Sequence, residues 1–184
     1  MSGESVTGPE TIAEAGASDA ATIAAIHAAS WREVYRGILP DRFLDHDVAE
    51  ERRRYWDAAL ANPRDGDFTL TALRGGTVRG FISVARGGEH GYDAVIDSLH
   101  VMPGGRDAGL GRRLIGRAVA RLIDEGASSV ALRVYEANES AIRFYVRLGG
   151  RRDGTGIDPF AGADMPDIRY GWRDLPALAK ACGE

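Results

Sequence analysis

The sequence predicts a single α+β domain built on a mixed, mostly antiparallel sheet of about six to seven strands, with about four flanking helices. A length of 184 residues is typical of one domain. The composition, 44% hydrophobic and 27% charged, lies in the ordinary range of globular proteins. Hairpin patterns alternate along the chain with strand–helix–strand patterns, and this mixture is characteristic of the α+β class.

The first third of the chain predicts a short strand and two helices. Residues 1–10 are polar and predict a disordered N-terminus, and a strand is expected at 11–15. Apolar residues then recur at three- and four-residue steps, which predicts an amphipathic helix beginning after Ser18 or Asp19. A second helix is predicted over 49–60 and stops before an Asn-Pro pair.

The remainder predicts strands separated by glycine-rich turns and by two further helices. The helices are expected to end at Gly126 and at 148, because glycines follow their apolar stripes. Residues 174–184 predict a loose tail that contains Cys182, the only cysteine. The predicted strands lie at 68–73, 78–85, 94–101, 129–134, 151–157 and 168–172.

Charge and composition exclude several classes of function. With 27 acidic and 23 basic side chains the net charge is −4, whereas nucleic-acid binders carry a basic excess. No apolar run approaches the roughly 18 residues that a membrane span requires. The N-terminal segment lacks the basic and apolar regions of a signal peptide, so a cytoplasmic location without a membrane partner is expected. One cysteine forms neither a disulfide framework nor a cysteine zinc cluster, and no metal is expected.

A glycine-rich turn between a strand and a helix is the first feature that indicates chemistry. It runs from Pro103 to Gly111, follows the strand ending at Val101, and opens into an amphipathic helix. The arrangement suits a phosphate group, because glycines allow close backbone approach and a helix N-terminus offers free N–H groups. The turn lacks the Walker and Rossmann patterns, which weighs against an unrelated nucleotide-binding domain.

A second block strengthens this interpretation. Residues 138–150 read NESAIRFYVRLGG, and residues 106–111 read RDAGLG. In order and spacing the two blocks resemble the signatures of the Gcn5-related N-acetyltransferase (GNAT) superfamily. The resemblance covers about 11–173 and is most specific over 94–150. Residues 30–40 also resemble one branch of the superfamily whose members mostly lack assigned substrates.

The resemblance implies an acetyltransferase domain with a splay between its fourth and fifth strands, where the pantetheine arm of acetyl-CoA, the cosubstrate, would lie. Backbone N–H groups of the turn would cradle the pyrophosphate, and one near Val101 would steady the developing oxyanion. Tyr145 would be the general acid at the thioester sulfur, while Trp31 and Tyr35 would wall the acceptor pocket. The cofactor-binding positions that it implies are Leu99, Val101, Arg106, Asp107, Ala108, Gly109, Leu110, Gly111, Arg112 and Asn138.

The general base is open at this point. An alkylammonium group has a reference pKa of ~10.4, so a group must accept its proton near neutral pH. Asp97 and His100 are candidates, but in a regular strand their odd spacing places them on opposite faces. Val95 stands where some relatives carry a glutamate, so a water relay is a further possibility. Other candidates on segments expected to border the acceptor are Glu33, Glu89 and His90.

Two functions remain in competition. The first is an N-acetyltransferase that moves the acetyl group of acetyl-CoA to a primary amine, on a small molecule or a protein, by direct attack. The alternative is a non-catalytic acyl-CoA-binding module, and retention of Tyr145 and Asn138 favours the enzyme. Either would be a monomer or homodimer. The arginines at 52–54 are interpreted as a solvated helix face, and Asp164 and Asp167 as members of a loop before the last strand.

Overall fold

The computed structural model describes residues 10–88, 90–102 and 109–183, and shows the predicted α+β class with a single seven-stranded sheet of order β1-β2-β3-β4-β5-β7-β6. The strands are β1 (Glu10–Glu14), β2 (Phe68–Arg74), β3 (Thr77–Arg86), β4 (Ala94–Val101), β5 (Val130–Tyr135), β6 (Arg151–Phe160) and β7 (Ala163–Trp172). The α-helices are α1 (Ala20–Val34), α2 (Val48–Ala61), α3 (Leu110–Asp124), α4 (Glu139–Arg147) and α5 (Leu175–Cys182). A 3₁₀ turn (Ala17–Asp19) precedes α1, and a π-helical turn (Phe43–Asp47) precedes α2.

Helices cover both faces of the sheet. On one face α1 and α2 pack together, and Ile23 and Trp56 are buried there against Phe81 of β3. On the other face α3 and α5 cover the next β3 residue, Ile82, together with the main apolar cluster. Consecutive strand residues point to opposite faces, so β3 contributes to both cores.

The predicted splay lies between β4 and β5. These two strands are parallel and pair only where Ala94–Ile96 lies beside Val130–Leu132, whereas every other neighbouring pair in the sheet is antiparallel. Beyond Ile96 the strands diverge, because β5 continues along β7 while β4 continues along β3. The divergence leaves a gap in the middle of the sheet.

A β-bulge interrupts β4 at Asp97. Ser83 of β3 pairs with Ser98 and the next residue, Val84, pairs with Ile96, so Asp97 has no partner in the ladder. The extra residue reverses the alternation of side chains beyond it. Asp97 and His100 therefore face the same side, towards α1 and α2, because the bulge breaks the regular alternation on which the expectation of opposite faces depended.

The C-terminal part differs from the sequence analysis in two places. Strands β6 and β7 form a longer hairpin than predicted, and Asp164, Pro166 and Asp167 lie within β7 rather than in a loop. Pro166 is tolerated because it lies opposite Glu136, just beyond the end of β5. Its carbonyl accepts from the Glu136 N–H. The N–H that proline lacks would point in the same direction, beyond the end of β5, so no bond between the two strands is lost.

The segment expected to be a loose tail forms α5. Asp174 accepts a hydrogen bond from the N–H of Ala177 at 2.9 Å and caps the helix. Leu175, Leu178 and Cys182 follow a helical spacing and are buried against α3. At the other end, residues 1–9 of the predicted disordered segment lie outside the described residues, and Glu10 begins β1.

Asp93, just before β4, links the start of β4 to the start of β5 by hydrogen bonds. It lies at the end of the gap where the two strands still pair. Its carboxylate accepts hydrogen bonds from the backbone N–H and hydroxyl groups of Ser128 and Ser129, at 2.8–3.1 Å. These bonds, of which the one from the Ser128 backbone N–H has the largest effect, lower the pKa of Asp93 to about 2.

We expect Asp93→Asn to destabilise the fold at neutral pH and to have little effect near pH ~2. A carboxyl with a lower pKa in the folded chain stabilises the fold above its unfolded pKa, about 3.9, and loses that contribution as the pH falls through its folded value. Urea unfolding of both proteins between pH ~7 and pH ~2 measures the difference in midpoint. A difference that does not change with pH would contradict this account.

Candidate active site

One cavity of about 1120 Å³ passes through the gap in the sheet. On the α3 side it is lined by Gly111, Phe144 and Tyr145, and on the α1–α2 side by Trp31 and Tyr55. A ligand can therefore reach both faces of the sheet within one continuous space. This is the region in which the sequence analysis places the site.

The N-terminus of α3 forms one end of the cavity. Gly109 lies immediately before the helix with a φ of +70°, a left-handed conformation that favours glycine. Gly109, Gly111 and Arg112 line the cavity, and the first N–H groups of a helix have no acceptor within it. The Leu110 side chain lies in the core instead. The proposed positions Arg106, Asp107 and Ala108 lie outside the described residues.

The edge of β4 forms the wall of the gap, and Leu99 and Val101 line it. The N–H of Met102 donates to the carbonyl of Arg79 on β3 at 2.8 Å. Because successive N–H groups of a strand point to opposite edges, the N–H of Val101 points away from β3 and towards the gap. It is thus available to a ligand, as the sequence analysis requires.

Helix α4 supplies two of the predicted residues. Asn138 caps the helix, because its Oδ1 accepts from the N–H of Ala141 at 3.2 Å, and it lines the cavity together with Tyr35. Tyr145 is buried, with Trp172 edge-on at 6.2 Å between ring centroids, and lines the cavity. Burial raises the pKa of Tyr145, so its hydroxyl keeps its proton at neutral pH.

Aromatic rings line the α1 side of the cavity. Trp31 lies edge-on to Tyr35, with ring centroids 5.5 Å apart, and to Phe160 of β6 at 5.2 Å. Tyr35 in turn contacts Tyr135 of β5 at 5.3 Å. The structure thus places Trp31 and Tyr35 together in an aromatic wall that also includes residues from β5 and β6.

The two base candidates lie on this same side. Asp97 accepts hydrogen bonds from the Tyr55 hydroxyl at 2.8 Å and from the Ser98 hydroxyl at 3.1 Å. Nδ1 of His100 lies 3.0 Å from the Ser30 hydroxyl oxygen. Both side chains line the cavity, so the bulge at Asp97 brings together two groups that can accept a proton.

A second histidine, which sequence reasoning missed, lies beneath His100. The ring centroids of His27 and His100 are 4.1 Å apart at an angle of 32°. Nδ1 of His27 accepts from Nε1 of Trp56 at 3.0 Å, so the proton of the neutral ring is on Nε2. Burial lowers the pKa of His27 well below its usual range, and the charges of His100 and Arg52 lower it further. His27 therefore stays neutral beside His100.

Arg52 and Tyr55 of α2 are further cavity residues that the sequence analysis did not assign. The interpretation of 52–54 as a solvated face is wrong for Arg52, which is 8% exposed. A signal was present, because Val48, Arg52 and Trp56 recur at four-residue steps and all three are buried. The sequence analysis treated Arg52 together with Arg53 and Arg54, which are exposed.

Of the other candidates, only Asp167 lines the cavity within the described part of the chain. Glu33 and His90 are exposed and do not line the cavity, and Glu89 lies outside the described residues. Asp167 is buried and accepts from Arg133 at 2.6 Å. Within the described ranges there is no cluster of acidic, histidine or cysteine side chains that could hold a metal ion, and every helix is too short or too polar to cross a bilayer.

Comparison with known proteins agrees with this architecture. The profile of the Acetyltransferase (GNAT) family matches residues 28–150. The Bacillus subtilis (strain 168) protein named uncharacterized N-acetyltransferase YuaI is 30% identical over 170 residues, which cover 91% of this chain and 95% of the relative. The family match covers most of the cavity residues, and the match to the relative covers nearly the whole chain.

Solved structures share the fold. PaiA N-acetyltransferase from Thermoplasma acidophilum in complex with coenzyme A has a TM-score of 0.69 at 18% identity, covering 89% of this chain and 99% of that one. The structure of yncA from Salmonella typhimurium with its cofactor acetyl-CoA has a TM-score of 0.64 at 21% identity, covering 90% and 94%. The family match, the near-full-length relative and the shared fold show that this chain belongs to the GNAT family of acetyltransferases.

Proposed function

We propose that the protein transfers the acetyl group of acetyl-CoA to a primary amine, which attacks the thioester directly. The observation that carries the proposal is the cavity that crosses the sheet between β4 and β5. It connects the N-terminus of α3 on one face with Asp97 and His100 on the other. A donor and an acceptor bound from opposite faces would therefore meet in the gap.

The residues around the gap fit acetyl-CoA, which supplies a thioester-bound acetyl group. The N-terminal N–H groups of α3 and the side chain of Arg112 would hold the pyrophosphate, since both favour negative charge. The gap edge of β4 would hold the pantetheine arm, and the Val101 N–H would donate to the thioester carbonyl oxygen. Crystal structures of relatives with the same fold hold coenzyme A and acetyl-CoA.

Proton transfers on either side of the gap complete the proposed mechanism. On the acceptor side, Asp97 and His100 take the proton of the attacking amine, directly or through a water molecule. On the donor side, the Tyr145 hydroxyl donates to the departing thiolate sulfur. Burial raises the pKa of the Tyr145 hydroxyl, so the hydroxyl is protonated near neutral pH, where the amine must lose its proton.

Incubation with acetyl-CoA and a panel of primary amines tests the function. The panel includes small diamines, amino acids and a lysine-containing peptide, and turnover is read as free thiol and as the mass of the acetylated amine. We expect thiol and acetylated amine in equal amounts. Tight binding of acetyl-CoA with no acetylated product on any amine would instead support the non-catalytic acyl-CoA-binding module.

The cofactor end yields a separate prediction. We expect Gly111→Leu to weaken CoA binding by about 10- to 100-fold, the effect of losing roughly one hydrogen bond to a charged group, because the side chain blocks backbone approach. Isothermal calorimetry with CoA measures the change, and ATP and NAD should bind the wild type far less well than CoA.

Gly111→Ala is the graded control for this substitution. Among the described residues, a Cβ at this position would meet only Phe144 Cζ at 3.7 Å and Val101 Cγ2 at 3.9 Å. These are ordinary contacts, so the alanine variant should fold and lose less affinity. A folded Gly111→Leu protein with wild-type CoA affinity would place the phosphate site elsewhere.

A further inference from the structure

Arg52 is a buried cation on the acceptor side of the cavity. Its guanidinium carbon lies 4.7 Å from the centroid of the Trp31 ring, 4.8 Å from Tyr55 and 5.9 Å from Phe160. These contacts hold the planar group against three ring systems. Burial of a charge is costly unless the charge is paired, so the position of Arg52 needs an explanation beyond packing.

The neighbouring Glu51 accounts for only part of the hydrogen-bonding capacity of Arg52. Its carboxylate accepts from Nε and Nη2 of the guanidinium. A guanidinium has five N–H donors, and Nη1 of Arg52 makes no bond within the described part of the chain. Among the described residues, the side-chain polar atoms that are fully buried and lack a hydrogen-bond partner belong to His27 and Arg86, not to Arg52. The Nη1 group is therefore not sealed in the protein, and Arg52 lines the cavity.

Tyr55 connects this cation with the proposed proton acceptor. The face of its ring lies next to Arg52, and its hydroxyl donates to Asp97. A positive and a negative side chain thus lie at the two ends of one tyrosine, on the same wall of the cavity. A ligand with an anionic and a cationic group close together would satisfy both.

The other charges near this wall are already paired. Arg133 donates to Asp167 at 2.6 Å, and Asp158 accepts from the Tyr135 hydroxyl at 2.7 Å. The other β6 residues that line the cavity are Gly156, Ile157, Pro159 and Phe160, none of which is charged. Arg52 is also paired, with Glu51, but its Nη1 donors remain for a ligand carboxylate.

Building on the proposed function, we propose that the acceptor is an α-amino acid with an apolar side chain, whose carboxylate binds Arg52. Its amino group would then face Asp97 and His100, where the proton is removed. The apolar side chain would lie against Trp31 and Phe160. Arg52 contacts the substrate in this arrangement and determines specificity without taking part in proton transfer.

Matched acceptors test the proposal on the wild-type protein. L-phenylalanine, L-phenylalaninamide and 2-phenylethylamine share an amine and a ring but differ in the carboxylate, and methionine with its amide forms a second pair. We expect kcat/KM to be about tenfold or more higher for each free amino acid, which is the effect expected of one charge-assisted pair. The amide has the less basic amine, so basicity alone would favour it over the amino acid.

Variants of α2 provide the second arm. Arg52→Gln should remove the preference for the carboxylate, because KM for the amino acids should rise to that of the amides. Arg54→Gln is the matched control, because this arginine of the same helix is exposed and pairs with Glu50 at 3.4 Å. It should leave the preference unchanged.

The outcomes separate the two proposals. Turnover of the diamines or the peptide without a preference for free amino acids overturns the amino-acid inference and leaves acetyl transfer intact. A carboxylate preference that survives in folded Arg52→Gln also overturns it. If no amine is acetylated, the proposed function itself fails. Should Arg52→Gln not fold, the wild-type comparison still decides, and Arg52→Lys, which keeps the charge but loses the fork, should retain only part of the preference.

Discussion

Replacing Tyr145 with phenylalanine should lower kcat by about 10²–10⁴-fold, the usual contribution of a general acid. The ring is buried against Phe144 and Trp172, and phenylalanine preserves those contacts while removing only the hydroxyl. The affinity for acetyl-CoA and the melting temperature should therefore barely change. Steady-state kinetics, calorimetry and thermal unfolding of the same preparation measure the three quantities.

The leaving thiol provides an internal check on this role. An ordinary thiol has a reference pKa of about 8.5, and a more acidic thiol leaves more easily as the thiolate. An acyl donor with a more acidic thiol should therefore reduce the loss of kcat in Tyr145→Phe. Tyr170→Phe is the control, because Tyr170 is buried in the same apolar cluster but does not line the cavity. Wild-type kcat in Tyr145→Phe would return the residue to a packing role and make the acyl-CoA-binding module the better interpretation.

Combining Asp97→Asn with His100→Ala should lower kcat/KM by about 10²–10⁴-fold, whereas neither single substitution abolishes turnover. The bulge places both groups on the acceptor side of the cavity, so one can accept the proton, directly or through water, when the other is absent. The effects should be strongly non-additive, since the two residues perform the same step. Rates near neutral pH for the single variants and the double variant test this.

Retained CoA binding shows that the double variant is folded. Ser98→Ala is the matched control on the same strand, because it removes a neutral hydrogen bond to Asp97 and leaves both proton acceptors in place. A loss of about three orders of magnitude in one single variant, with CoA binding intact, would identify that residue as the dedicated base and exclude the shared arrangement.

The sequence analysis predicted the local conformation of the segments on the proposed donor side, because the relevant signals are local. The turn before α3 and the block at the start of α4 are contiguous segments, and their glycines, cap and helical spacing determine their own conformation. Gly109 adopts the left-handed conformation before α3, and Asn138 caps α4. The strand and helix order, the splay and the α+β class agree with the structure for the same reason.

Two errors came from local rules applied where tertiary contacts decide. The tail from 174 was expected to be loose, although its cap and apolar spacing fit a short helix, and Leu175 and Leu178 are buried against α3. Arg52 was assigned to a solvated face together with its neighbours, although rings from α1, α2 and β6 enclose it. In both cases the partner lies far away in the sequence.

By itself, then, the sequence determined the fold class, the family resemblance and the local conformation around the proposed donor site, because periodicity, caps and glycine conformations act within a few residues of each other. Only the tertiary structure decided the acceptor side. The bulge that aligns Asp97 with His100 depends on pairing with β3, the stacking of His27 on His100 joins α1 to β4, and Arg52 meets Asp97 through Tyr55 of α2. Such contacts form between elements distant in the chain, so packing rather than local spacing determines them.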